Sequence, residues 1–93
     1  MVAEKKITIV NKLGLHARPA ALFVQIANKY DCDIIVKKGK QEVNGKSIMG
    51  IMMLAAGKGD VIHIKAKGEG AGKALSELEA LLLSDLDVKD SVL

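Results

Sequence analysis

Residues 5–27 read KKITIVNKLGLHARPAALFVQIA, and the period of their apolar side chains changes partway along. In residues 5–10, Ile7 and Ile9 alternate with polar neighbours, which predicts a strand with one buried face. From Ala17 to near residue 30, apolar side chains recur at every third or fourth position, which predicts a helix packed on one side. The residues of this helical stripe are Ala20, Phe23, Val24 and Ala27.

The same two periods continue along the chain. Residues 34–38 and 41–43 are predicted as two short strands of a hairpin, with a turn at Gly39, because glycine reaches positive φ without penalty. Ser47 stands at the N-cap position of an apolar segment, residues 48–54, which is long enough for a helix of about two turns.

A last strand and a last helix complete the pattern. In residues 60–67, the apolar side chains of Ile62, Ile64 and Ala66 occupy every second position, which predicts a strand with one face in solvent. The helix after it has an apolar stripe, and residues 87–93 resemble a frayed tail. The stripe consists of Ala71, Ala74, Leu75, Leu78, Leu81 and Leu82.

The element order β-α-β-β-α-β-α predicts an α+β protein of two layers. Each strand and helix must bury one apolar face. A mainly antiparallel four-stranded sheet with all three helices on one side buries all of these faces together. With 93 residues and 9.9 kDa, residues 1–93 are expected to form a single domain. Periodicity alone leaves a ferredoxin-like β-α-β-β-α-β sheet open, which serves in RNA-binding and regulatory domains.

Composition excludes several classes of protein. Aromatic residues make up only 2% of the chain, so base-stacking platforms are nearly excluded. Cys32 is the single cysteine, which excludes a disulfide-stapled secreted module. Residues 1–10 contain no apolar h-region with a cleavage site, so no signal peptide is expected there, and the longest uncharged stretch, residues 47–57, is too short for a membrane span. We therefore expect a cytoplasmic protein without membrane insertion.

The formal net charge of +3 is unevenly spread. Residues 1–68 carry 12 basic and 5 acidic side chains, whereas residues 69–93 carry 2 and 6. All basic residues except Arg18 are lysines, and scattered lysines favour solubility and the steering of acidic partners. Because base readout favours arginine and aromatic side chains, direct nucleic-acid binding is not expected.

Cofactor and metal patterns are also missing from the sequence. Gly45-Lys46-Ser47 resembles the end of a P-loop, but Lys40 stands where that pattern needs a glycine. The glycine-rich residues 68–73 have the wrong spacing for a nucleotide fingerprint and are interpreted as a turn. His63 points to the solvent face of its strand, and no ligands are spaced to share a metal with it. We expect no cofactor and no metal.

The junction between the first loop and the first helix combines three features of an anion site. Pro19 fits only the first helical turn, which places His16 at the N-cap. An imidazole there can offer a neutral nitrogen, and the backbone N–H groups of the helix start are available to an anion. Arg18 adds a planar fork of donors suited to phosphoryl oxygens. A phosphoryl-accepting histidine is thus one interpretation, and a capping histidine beside a surface arginine is the other.

Two helices offer candidate partner surfaces. Ala17 and Ala21 are small and continue the face that carries His16, so a partner could approach closely. Ile48, Met49 and Met52 lie on the short second helix, and methionine suits adaptable docking surfaces. The alternative is that these three residues belong to the core.

Two segments resemble the HPr family, the histidine-containing phosphocarriers of the bacterial phosphoenolpyruvate-dependent phosphotransferase system. The segments are GLHARPAA at residues 14–21 and VNGKSIMG at residues 43–50, and length and element order agree as well. The resemblance implies an open-faced β-sandwich with sheet order 1-4-2-3. It also implies that Nδ1 of His16 receives a phosphoryl group from enzyme I and passes it to an enzyme II A component of a sugar permease.

Further roles follow from the same resemblance. Arg18 and the helix N-terminus would hold the phosphate, and an HPr kinase/phosphorylase would modify Ser47 with ATP. The family docks partners through its first and second helices, which here implies Ala17, Ala21, Ile48, Met49 and Met52.

Alternative functions stay open at this level. Residues 11–14, NKLG, resemble relatives in the nitrogen-related regulatory branch as much as those in sugar transport. A purely regulatory module of the same fold would normally lack the histidine, and a ferredoxin-like ligand or RNA binder is the third possibility.

Overall fold

A computed structural model describes residues 1–84, and the predicted tail at residues 87–93 lies outside them. The element order is the predicted β-α-β-β-α-β-α. The elements are β1 (Val2–Thr8), α1 (Ala17–Ala27), β2 (Asp33–Lys38), β3 (Gln41–Asn44), α2 (Ile48–Met53), β4 (Val61–Lys67) and α3 (Ala71–Leu83).

The four strands form one antiparallel sheet in the order β1-β4-β2-β3. Its inner face is apolar: Ile7 pairs with Ile62 across β1 and β4, and Val36 pairs with Ile64 across β2 and β4. The helices cover this face and bury it, while the other face meets solvent. The predicted α+β class, the four-stranded antiparallel sheet, the open-faced sandwich and the strand order are all confirmed.

The core between the two layers is almost entirely aliphatic. Phe23 is its one aromatic side chain that is fully buried, and the thiol of Cys32 packs there as a small apolar group. The predicted helical stripes of α1 and α3 supply its helical side, apart from Leu81, which is half-buried at the edge. An aliphatic core of this kind depends on close side-chain packing between the two layers.

Several element ends differ from the sequence prediction by one to three residues, and two of these differences have a clear physical reason. Helix α1 stops at Ala27 because Asn28 turns its side-chain amide back onto the Val24 carbonyl, with Nδ2 and O 2.9 Å apart. The next two N–H groups donate to carbonyls three residues back, which tightens the last turn. Strand β1 begins at Val2, earlier than predicted, because its first residues pair with the end of β4.

A polar cluster ties the end of α1 to α3. The Glu77 carboxylate on α3 accepts hydrogen bonds from the Tyr30 hydroxyl and, at 2.6 Å, from the Lys29 ammonium. The Lys29 and Tyr30 donors lower the pKa of Glu77, and the bond to Glu77 raises the pKa of Tyr30. Each shift favours the protonation state that makes these hydrogen bonds.

The loop before α1 depends on glycine at one position. Gly14 has φ of +70°, and a Cβ added there would lie 2.3 Å from the Ala56 carbonyl oxygen. Backbone of both segments would have to move to relieve that contact. Gly39 in the hairpin turn has a similar φ of +59° but open space around it, which makes it a matched reference.

We expect Gly14→Ala to lower the free energy of unfolding by at least about 3 kcal/mol, because backbone collision adds to left-handed strain. Gly39→Ala should cost only about 1 kcal/mol, from the strain alone. Urea unfolding of both variants measures the difference. Equal losses would show that the approach of Gly14 to Ala56 is not tight.

We expect Glu77→Gln to change the pH dependence of stability. The folded pKa of Glu77 lies below its ordinary value of 4.5, so the advantage of the wild type over the variant is complete above that value. It should shrink as the pH falls through the folded pKa. Thermal melting at stepped pH measures it, with Glu69→Gln as the control. The prediction fails if Glu77→Gln and Glu69→Gln show the same change of melting temperature with falling pH.

Candidate functional site

His16 is the N-cap residue of α1, as predicted. Its backbone is extended, with φ of −77° and ψ of −171°, and its carbonyl accepts the first intrahelical bond from the Ala20 N–H at 3.0 Å. The imidazole makes no capping hydrogen bond to the helix. The alternative of a capping histidine is therefore wrong.

The start of α1 is electrostatically suited to an anion. The first N–H group that bonds within the helix is that of Ala20, so the N–H groups of Ala17 and Arg18 have no acceptor inside the helix. Pro19, the third residue of α1, is buried and has no N–H. The first turn holds no acidic side chain. The positive end of the helix dipole and the exposed Arg18 therefore lie at the same end of α1 as His16.

His16 is half-buried as a residue, and one of its ring nitrogens is covered by the protein. Nε2 has less than 1 Å² of accessible surface. Because Nε2 is covered, a reaction with an outside partner is favoured at the other ring nitrogen, Nδ1.

A compact loop fixes where α1 begins. The Asn11 side chain is buried and donates from Nδ2 to the Gly14 carbonyl at 2.6 Å, and the Gly14 N–H donates back to the Asn11 carbonyl at 3.2 Å. The Leu15 N–H then donates to the Ala56 carbonyl at 2.8 Å. Asn11 and Ala56 were not identified from the sequence, although asparagine three residues before a glycine is a turn signal.

Ser47 is the N-cap of α2, also as predicted. Its Oγ accepts a hydrogen bond from the Gly50 N–H at 3.0 Å, and its carbonyl accepts one from the Ile51 N–H at 3.0 Å. The side chain is half-buried and forms part of the edge of a helix that packs against α1. A modification on this oxygen would therefore face the same region as the partner surface considered next.

Helix α2 presents a surface of exposed apolar side chains, which we call the α2 patch. The alternative that its predicted docking residues are core is wrong, because the helix uses Ile51 for the core and leaves the others in solvent. Single exposed apolar residues are ordinary, but several on one short helix make a candidate interaction surface. The α2 patch consists of Ile48, 44% exposed, Met49, 69%, Met52, 40%, and Met53, 64%.

The remaining predicted docking residues lie on α1. Ala17 is exposed and Ala21 is half-buried, and α1 and α2 pack against each other. Two further exposed apolar residues were not predicted as docking residues, namely Met53 on α2 and Leu13, which is 66% exposed in the loop before His16. Their signal was available, since both are apolar residues outside any predicted buried stripe.

The residues assigned no role in the sequence lie elsewhere. His63 is on the solvent face of β4, where its Nε2 lies 2.9 Å from Glu4 Oε1. The glycine-rich segment is the predicted turn, and Gly70 is the N-cap of α3. Within residues 1–84, no three groups of the metal-binding types lie together, and no helix is long and apolar enough to cross a membrane.

The comparisons with known proteins agree on one family. Residues 3–84 match the family described as PTS HPr component phosphorylation site. Among individual proteins, the phosphocarrier protein HPr of Pseudomonas aeruginosa is 49% identical over 83 residues, which span 88% of this chain and 92% of the relative. The HPr-like protein Crh of Bacillus subtilis is 41% identical over 85 residues, or 91% of this chain and 100% of the relative.

Solved structures lead to the same result. HPr from Thermoanaerobacter tengcongensis superimposes with a TM-score of 0.83 at 49% identity, over 86% of this chain and 90% of the other. HPr from Bacillus anthracis gives 0.83 at 48% identity, over 87% and 96%. With the sheet order, the helix arrangement and the match over most of the sequence in agreement, the chain belongs to the HPr family, the phosphocarrier proteins of the phosphotransferase system.

Proposed function

We propose that His16 accepts a phosphoryl group from enzyme I and passes it to an enzyme II A component for sugar uptake. In this proposal residues 1–93 form a single domain that acts in the cytoplasm as a stoichiometric carrier and not as an enzyme. The observation that carries the proposal is the N-cap histidine whose side chain does not cap its own helix. Caps are normally Ser, Thr, Asp or Asn, so a histidine in that place is better explained by chemistry than by helix stability.

The transfer step follows from the two nitrogens of His16. Nδ1, in its unprotonated form, attacks phosphorus with its lone pair, and the donor's bond to phosphorus breaks as the new nitrogen–phosphorus bond forms. Nε2, the buried nitrogen, keeps the ring proton. The second transfer reverses these roles, with a group of the acceptor as nucleophile and Nδ1 as leaving group. A phosphoryl group on nitrogen is readily passed on, which suits a relay.

The new charge is balanced by the start of α1. A phosphoryl group adds a charge of about −1.5 to −2 at neutral pH by analogy with other phosphorylated side chains. The helix dipole, the first N–H groups and Arg18 all favour an anion there, and the first turn of α1 holds no acidic side chain. This arrangement supports both the acceptance of the group and its orientation for release.

Partner docking is proposed for the surface around His16. It comprises Ala17 and Ala21 on α1 and Ile48, Met49 and Met52 on α2, and its support is the exposure of the α2 patch beside α1. Small side chains near the reactive nitrogen let a partner approach closely. The methionines can adapt to more than one partner, such as enzyme I and several enzyme II A components.

We also propose Ser47 as a regulatory site for an HPr kinase/phosphorylase. Its Oγ lies at the start of α2, next to the α2 patch, so a phosphate there adds charge at the edge of the docking surface. The nitrogen-related branch is the second candidate, because residues 11–14 resemble its members as much as those of sugar transport. Assays with enzyme II A components of either branch as acceptors distinguish the two.

We expect His16→Ala to fold normally and to take no phosphoryl group from enzyme I and phosphoenolpyruvate. Intact mass spectrometry measures the uptake, and His63→Ala is the matched control because His63 lies on the solvent face of the sheet. The phosphoryl group on the wild-type protein should be lost in acid and stable in alkali, as expected for a phosphoramidate. Phosphoryl uptake by His16→Ala would contradict the assignment.

We expect Arg18→Lys to slow phosphoryl transfer while leaving stability nearly unchanged. Lysine keeps the positive charge but loses the two-pronged contact with phosphoryl oxygens. Because Arg18 is exposed, the free energy of unfolding should change by less than about 0.5 kcal/mol. Rapid-quench measurement of transfer from enzyme I provides the test. Equal transfer rates for the wild type and Arg18→Lys would show that the bidentate guanidinium contact has no role.

We expect Ser47→Asp to leave the melting temperature unchanged or higher, because aspartate is also a good N-cap and favours the helix dipole. Phosphoryl uptake from enzyme I should weaken by at least about tenfold. The added charge must be desolvated beside the α2 patch, and high salt should relieve part of the effect. Ser76→Asp, on an exposed face of α3, is the control. Undiminished uptake by Ser47→Asp would remove the regulatory role.

A further inference from the structure

Three of the four methionines in the chain lie on one short helix, and all three are in solvent. Met49, Met52 and Met53 expose 69%, 40% and 64% of their surfaces. The core positions of the same region are held by Ile51 and Leu54, which have no sulfur and are 0% and 1% exposed. Oxidisable side chains are thus concentrated on the outer surface of α2, and none is needed for its attachment to the core.

We propose that these three methionines form an oxidation site through which a peroxide switches off partner docking. The inference rests on the proposed function, because it requires the α2 patch to be a docking surface. In the reaction, a thioether sulfur attacks one peroxide oxygen and the O–O bond breaks. The sulfur is oxidised by two electrons to a sulfoxide, and hydrogen peroxide is reduced to water.

Exposure makes the reaction selective within this protein. The thiol of Cys32, the other sulfur that a peroxide could oxidise, is 1% exposed and packed in the core. Cysteine oxidation requires access of the oxidant to the sulfur, which the burial of Cys32 opposes. Among residues 1–84 the exposed sulfurs are therefore those of α2 and of Met1, which is 81% exposed at the start of β1.

The consequence of oxidation falls on binding and not on folding. A sulfoxide replaces an apolar, adaptable side chain with a strongly polar one, and a partner that covers it must remove water from the new oxygen. The helix itself keeps its anchor Ile51 and its cap, the bond from the Gly50 N–H to Ser47 Oγ. The surface change resembles that expected from a charge at Ser47, but it needs no kinase, and methionine sulfoxide reductases can reverse it.

The test treats the full-length protein with hydrogen peroxide and measures its phosphorylation by enzyme I before and after. Peptide mapping counts sulfoxides at each methionine. We expect the rate of uptake to fall by about tenfold or more. Treatment with methionine sulfoxide reductases A and B should restore it, and the melting temperature should stay within a few degrees of the untreated protein. An unchanged rate, or a loss that comes with unfolding, would overturn the proposal.

The matched variant is the triple substitution Met49→Leu, Met52→Leu and Met53→Leu, which leaves Met1 as the last methionine. Each protein is compared with its own untreated form, so any effect of the leucines on basal transfer cancels. Peroxide should no longer slow the variant. An equal loss in both proteins would place the sensitive group elsewhere and overturn the inference. If the untreated wild type takes up no phosphoryl group, the proposed function fails instead, so the two failures are distinguishable.

Discussion

The hydrogen bond from the Leu15 N–H to the Ala56 carbonyl is the contact on which the geometry of this surface depends. It joins the loop before α1 to the segment that leaves α2, and Gly14 packs against the same carbonyl. Because Leu15 directly precedes His16, the bond sets where the first helix starts. Ala55, next to Ala56, accepts a left-handed φ of +49° that alanine disfavours. The chain thus carries local strain at the point where the loop before α1 meets the segment after α2.

Helix α2 is too short to be stable by itself, since isolated helices of this length are marginal in water. A local cap holds its first end, and tertiary contacts hold its last. Ser47 Oγ caps the first turn, while at the other end the Lys38 ammonium donates to the Leu54 carbonyl at 3.1 Å and the Gln41 side chain donates to the Met53 carbonyl at 2.9 Å. The β2–β3 hairpin therefore acts as the C-terminal cap of α2. Anchored in this way, the helix can leave apolar side chains in solvent without losing its position.

Much of this fold was predictable from local signals, and the unpredicted parts are those set by distant contacts. The strands and long helices follow from periods of two and 3.6 residues, and Pro19 places His16 at the N-cap. The orientation of α2 was not predictable, because two turns bury too few residues to define a face. Met49 and Met52 were candidate docking residues from the sequence, but only the structure decides between their exposure and a place in the core. The hydrogen bond between Leu15 and Ala56 was likewise not predictable, because neither segment alone contains a sequence pattern that indicates it. The roles of His16, Arg18 and Ser47 stay predictions until transfer is measured.

Within residues 1–84, the sheet has two edge strands, β1 on one side and β3 on the other. An exposed edge strand can template the addition of another chain, and charged side chains are a common protection against this. The middle of β1 is charged at Glu4, Lys5 and Lys6, and Lys5 is also held by Glu79 of α3 at 2.7 Å. The charged side chains along β1 therefore oppose the addition of another strand at that edge, which allows the protein to reach a high concentration without aggregating through β1.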